Sequence, residues 1–186
     1  MWYRKRYPDT KLRWLCRLLS SSYWNTKFLE GLAGEKNVVI FQKRVPDLTA
    51  IALDRFVARA RKASRLKGTV NILLTSSAKM KSLNRRFRGK DKPTDVLAFP
   101  AGSNLIKDGR KPLAGEIAIS TEIASHNARN LGHSPAEEIK ILVLHGLLHL
   151  RGYDHECDNG EMAKREQDLR AKLHLPLGLI ERTRST

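Results

Sequence analysis

Cysteine is scarce: Cys16 and Cys157 are the only two in 186 residues, and they lie far apart. With no convincing secretory signal beside them, they give no disulfide framework, and a reducing compartment is expected. No uncharged stretch is long enough to cross a bilayer, so a membrane helix is excluded and no membrane partner is expected. Aromatic residues make up only 6%, too few for an evident platform on which successive bases could stack. Acidic residues are also in short supply. Against 19 Asp and Glu stand 35 Lys and Arg, a formal charge of +16 that favours a polyanionic partner.

That charge is unevenly spread. Residues 51–95 hold thirteen basic side chains against Asp54, Asp91 and Asp95, whereas residues 115–186 hold nine basic and eleven acidic. A polyanion is therefore expected to dock on the first half of the chain. The length suits one domain with appendages. Residues 1–36 stand apart as a basic extension, rich in Arg, Lys, Trp and Ser, without a persistent apolar period. An organellar transit peptide, a start codon placed too far upstream and a basic arm explain it equally well, and it stays outside the fold argument.

From Asn37 the pattern becomes that of a folded domain. Val38 to Gln42 reads as a strand, and Asp47 after Pro46 is a possible cap for a helix whose apolar period runs through Ile51, Leu53, Phe56 and Val57. Val70 to Thr75 reads as a second strand, followed by a helix capped by Ser76 and reaching about Phe87. Asp95 to Phe99 forms a third strand ended by Pro100, and a loop rich in Gly, Asn, Lys and Pro follows. Gly115 to Ser120 alternates as a fourth strand, and Thr121 to Leu131 forms a helix closed by Gly132. Ser134, Pro135 and Glu137 occupy the cap, first and third positions of a capping box, so a helix is expected from Pro135 to about Leu150. Its later half is apolar on nearly every face, which marks a buried central helix. A last helix, capped by Asp158 with Glu161 three residues on, reaches about Leu173.

Inside the buried helix His145 and His149 stand four residues apart, so one turn of rise and about 40° of rotation put both imidazoles on one face. Gly152 suits a left-handed residue after the helix, which turns the chain back through Tyr153 and Asp154 and brings His155 to the same face. Burying two imidazoles in an apolar helix is costly unless they are satisfied, and one ion satisfies both. Three neutral imidazoles with a fourth position left for water form the open arrangement of a catalytic zinc site, in which acidified water is the nucleophile. Cys157 is the alternative fourth ligand, which would close the site.

The run His145 to His155, HGLLHLRGYDH, closely resembles the signature of the YbeY family of rRNA maturation factors and endoribonucleases. Asn84 to Pro100, NRRFRGKDKPTDVLAFP, resembles that family's basic loop and following strand, and Gly115 to Ser120, GEIAIS, its next strand; the resemblance covers about residues 37–175, leaving 176–186 as a tail. It implies an α+β fold in which a small mixed sheet of about four strands packs with about five helices, with a zincin-like site on the buried helix. It implies one zinc ion on His145, His149 and His155, and single-strand-specific cleavage in maturation of the 16S rRNA 3' end and in ribosome quality control. The partners implied are ribosomal RNA and the small ribosomal subunit, in the cytoplasm, or in an organelle if the extension is a transit peptide.

By position, the family's functional arginine falls on Arg88, where a guanidinium can clamp a phosphate. Arg85, Arg86, Lys90 and Lys92 of the same basic segment are the expected RNA contacts. Two positions depart from the family pattern: Glu116 stands where Asp is usual, and Ala98 where Ser is usual. Glu116 keeps a carboxylate to orient a ligand or a water, one methylene longer than the family's, and Asp154 is expected either to orient a histidine or to cap the turn. A metalloprotease of the metzincin type is the chemical rival, but its glutamate base would follow the first histidine, and Gly146 stands there. The rival of another class is a non-catalytic RNA-binding assembly factor with a structural metal, since no general base is evident.

Overall fold

The computed structural model describes residues 37–101, 112–155 and 157–176. The basic extension, most of the loop after Ala101 and the tail beyond Pro176 lie outside the described residues. Four strands, β1 (Val38–Phe41), β2 (Thr69–Thr75), β3 (Val96–Pro100) and β4 (Leu113–Ser120), form one sheet in the order β1-β2-β4-β3. β1 and β4 both run parallel to β2, while β3 runs antiparallel to β4 at the edge. The five described helices are α1 (Ala50–Ala63), α2 (Ser77–Arg88), α3 (Thr121–Leu131), α4 (Pro135–Leu150) and α5 (Glu161–Leu173). The fold is α+β with a mixed sheet, as expected.

Strand alternation divides the core in two. Val70, Ile72, Leu74, Ile117 and Ile119 point to one face and pack with residues of α1, α3, α4 and α5. Leu73, Leu97, Phe99 and Ala118 point to the other and are covered by Met80, Leu83 and Phe87 of α2. The central element is α4, with twelve of its sixteen residues buried, which explains why its apolar residues ring the helix instead of forming a stripe. Its capping box is complete: the Glu137 N–H donates to Ser134 Oγ at 3.2 Å, and the Ser134 N–H donates to the Glu137 carboxylate at 2.9 Å. Gly146 lets α4 lie close to the sheet, because a Cβ there would stand 2.8 Å from Ile117 Cδ1.

Local chemistry adjusts some expected boundaries. Thr49, not Asp47, caps α1 by accepting from the Ala52 N–H, and Asp47 itself adopts a left-handed turn at φ 56°. Gly160, at φ 92°, occupies the cap position of α5. The Asp158 carboxylate still serves the helix start from two residues upstream, accepting from the Gly160 and Met162 N–H groups at 2.8 and 2.9 Å. Pro100 is the last residue of β3 and not the residue after it, a place an edge strand allows because among the described residues no second strand needs its missing N–H.

Candidate metal centre and basic face

The last two turns of α4 present His145 and His149. Gly152 at φ 100° reverses the chain, with its N–H returning to the His149 carbonyl at 2.9 Å and that of Tyr153 to Leu148 at 3.1 Å. The Asp154 carbonyl then accepts from the N–H groups of Cys157 and Asp158, closing a turn that holds His155 beside the helix. Together these contacts bring one ligand nitrogen of each histidine within 4.8 Å of the others. His145 is buried, His149 half-buried and His155 exposed, so the cluster opens to solvent on the side of His155.

The outer nitrogens decide what the cluster fits. His145 Nδ1 lies 3.0 Å from Glu166 Oε2, and His149 Nδ1 lies 3.0 Å from the Tyr153 carbonyl oxygen. Both neighbours are acceptors, so each Nδ1 carries the proton and each Nε2 presents a lone pair. The two Nε2 atoms nevertheless stand 3.0 Å apart. A proton between them would create an imidazolium, and burial above all, then the charges of His145 and His155, push the His149 pKa down to about 4. A metal cation resolves the opposition: two nitrogens bound to one tetrahedral zinc stand about 3.3 Å apart. The donor set fits a single divalent ion on His145, His149 and His155.

The carboxylate behind the site is Glu166, which the sequence reading missed. It is 1% exposed on α5 and holds His145 in its tautomer. A signal was there: Met162, Glu166, Leu169 and Leu173 are all buried at helical spacing, which places an acid within an apolar stripe. Glu116 does not play this part. It alternates with Ile117, so it points away from α4 to the face covered by α2, where Asn71 Nδ2 donates to it at 3.2 Å. Burial there raises its pKa to about 7, against the opposing pull of the Asn71 hydrogen bond. Asp154 is half-buried and its charge reaches His149. Cys157 is exposed and lies outside the histidine group.

On the opposite face of the sheet α2 ends at Arg88, with Gly89 left-handed at φ 70° behind it. Phe87 fixes that end by packing edge-on against Phe99, with ring centroids 5.4 Å apart. Buried Asn84 ties down the basic loop, its carbonyl accepting from Lys90 N–H and its side-chain amide donating to the Lys92 carbonyl at 2.7 Å. Arg85, Arg86, Arg88, Lys90 and Lys92 are all exposed. Arg85 stands 3.9 Å from Asp91, and the Arg86 guanidinium lies 5.6 Å from the Phe87 ring centre. Phe99 is in register with Glu116 and Pro100 with Gly115, and a Cβ on Gly115 would meet Leu150 at 2.6 Å. The ends of α2 and α4 therefore share one end of the sheet. The structure brings the three histidines together and sets Arg88 and its basic neighbours on the other face at that same end.

Comparison with known proteins agrees with this architecture. Residues 34–174 match the family model described as Endoribonuclease YbeY. The chain is 53% identical over 146 residues to Endoribonuclease YbeY of Koribacter versatilis, covering 78% of this chain and 91% of that protein. It is 44% identical over 151 residues to Endoribonuclease YbeY of Solibacter usitatus, covering 81% and 97% respectively. The solution structure of a Thermotoga maritima protein is similar at a TM-score of 0.51 and 28% identity, over 74% of this chain and 88% of that one.

Proposed function

This chain belongs to the endoribonuclease YbeY family, and on that premise we propose that it is a zinc-dependent, single-strand-specific endoribonuclease that matures the 3' end of 16S rRNA and serves ribosome quality control. The observation that carries this reading is that His145 Nδ1 and His149 Nδ1 each lie 3.0 Å from an acceptor, on Glu166 and Tyr153, while their Nε2 atoms converge at 3.0 Å, an arrangement that assigns the protons to Nδ1 and leaves the lone pairs facing each other. His145, His149 and His155 hold one ion, which when bound acidifies water and polarises a phosphoryl oxygen. Arg88 neutralises charge developing on the scissile phosphate, in the manner of a preorganised cation. Arg85, Arg86, Lys90 and Lys92, on the loop tied by Asn84, hold neighbouring phosphates and set the strand's register. Asp154, through its charge at His149, orients the ligand loop. The folded unit, residues 37–175, acts on the small ribosomal subunit in the cytoplasm, or within an organelle if residues 1–36 are a transit peptide.

One observation favours a second reading. Among the described residues the histidine group contains no carboxylate to receive a proton from bound water, as a non-catalytic assembly factor with a structural metal would have it. The test is cleavage of purified ribosomal RNA by wild-type protein and His149→Ala, with metal content determined on both. Joint loss of metal and cleavage supports the hydrolase, whereas metal binding with no cleavage by the wild type supports the assembly factor.

A further inference from the structure

We propose that the outer face of α1 is a second phosphate track, which grips the backbone of RNA flanking the strand that is cut; this rests on the ribonuclease reading above. Leu53, Phe56, Val57 and Ala60 bury one side of α1. The exposed side carries Arg55, Arg59 and Lys62 at positions i, i+4 and i+7, a straight stripe about 10 Å long. No acid interrupts it. Asp54, the one acid of the helix, is half-buried and accepts from Asn37 Nδ2 at 3.1 Å. Among the described residues Arg55, Arg59 and Lys62 have no ion pair or hydrogen-bonding side-chain partner. Three like charges one turn apart repel, and no acid among the described residues offsets them, whereas a polyanion laid along the helix turns every repulsion into an attraction.

Two further features select RNA. Exposed Ala52 and Ala58 flank the stripe, and their small side chains let a phosphate backbone approach the helix surface closely. An anionic membrane would require large apolar groups to insert beside the charges, and α1 offers only Ile51, 67% exposed. The stripe also points to the site. Past Ser64, exposed Arg65 and Lys67 continue the charge. Arg165 donates to the Ala63 carbonyl at 3.2 Å, and its neighbour Glu166 holds His145, so α5 ties the end of the stripe to the metal helix. The track lies on the sheet face opposite α2. An RNA held by both basic surfaces would pass the end of the sheet that carries the histidines.

The test compares the full chain with the variant R55Q/R59Q/K62Q and with R129Q/K164Q/K172Q, which removes the same charge from exposed positions of α3 and α5. The probes are a structured 3'-terminal fragment of 16S rRNA, a short single-stranded oligonucleotide carrying the cleaved sequence, and phosphatidylserine vesicles. On the structured fragment the α1 variant should lower the slope of log affinity against log salt by about two and weaken binding roughly 10–50-fold at about 0.15 M salt, since each lost phosphate contact removes about 0.7–0.9 of slope. KM should rise with kcat unchanged, and the short oligonucleotide should be cut as by the wild type. An equal loss in the control variant, an unchanged slope, or a loss confined to vesicle binding would overturn the track. Wild-type protein that binds the fragment without cutting it would refute the nuclease reading and leave the track standing; failure to bind RNA at all would refute both.

Discussion

Replacing Glu166 tests whether the histidine cluster is built for a metal. Among the described residues its Oε2 is the hydrogen-bond acceptor at His145 Nδ1, at 3.0 Å, and both side chains are buried. Glu166→Ala leaves a buried N–H without an acceptor, which costs about 1–3 kcal/mol of stability. It also frees the ring to take the other tautomer, which turns a proton toward the ligand position. Loss of such an outer partner lowers metal affinity about 10–100-fold, or roughly 1.4–2.7 kcal/mol. Glu166→Gln keeps an acceptor in nearly the same place without the charge, so its affinity should fall between those of wild type and Glu166→Ala. Zinc affinity is measured by competition with a chromophoric chelator, and the His145 tautomer by nitrogen-15 NMR of the metal-free protein. Wild-type affinity in Glu166→Ala, with the Nδ1–H tautomer retained, would refute the reasoning.

Gly146→Ala should gain about 1 kcal/mol in helix propensity and lose about 1–3 kcal/mol through contact with Ile117, for net destabilisation in denaturant titration; a stabilised variant would contradict the close approach of α4 to the sheet. For Glu116, a folded pKa raised to about 7 from 4.5 means that the folded state holds its proton longer, so the associated stability is present below pH 4.5 and lost as pH rises through about 7. Glu116→Gln should therefore exceed wild type by about 2–3 kcal/mol at pH 8 and match it near pH 4.5, as read from unfolding curves at both values. Arg88→Ala should lower kcat on ribosomal RNA by about 10²–10³-fold with a much smaller loss of RNA affinity; equal losses would make Arg88 a plain binding residue.

What was legible in the sequence was local. The capping box, the all-round apolar helix and the four-residue histidine spacing with Gly152 behind it each depend on residues within one or two turns, and α4 and its ligands follow from them. Glu166 sits 21 residues from its histidine on another helix, so only its place in the buried stripe of α5 betrayed it. Glu116 shows how a role could be misassigned although the strand was found. Alternation already opposed it to Ile117 and Ile119, but which face received α4 is a tertiary fact. The order β1-β2-β4-β3 is likewise set by pairings distant in sequence. Residue type points to Asp47 and Asp158 as caps, but backbone conformation places the cap positions at Thr49 and Gly160.

The most direct measurement returns zinc stepwise to metal-free protein while cleavage of a 16S rRNA fragment and far-ultraviolet circular dichroism are followed in the same samples. A catalytic ion on three histidines predicts cleavage that rises in proportion to added zinc and levels off at one equivalent, with the helical signal constant throughout. Helical signal that appears only with zinc while no cleavage develops would contradict the account and identify the metal as a structural element.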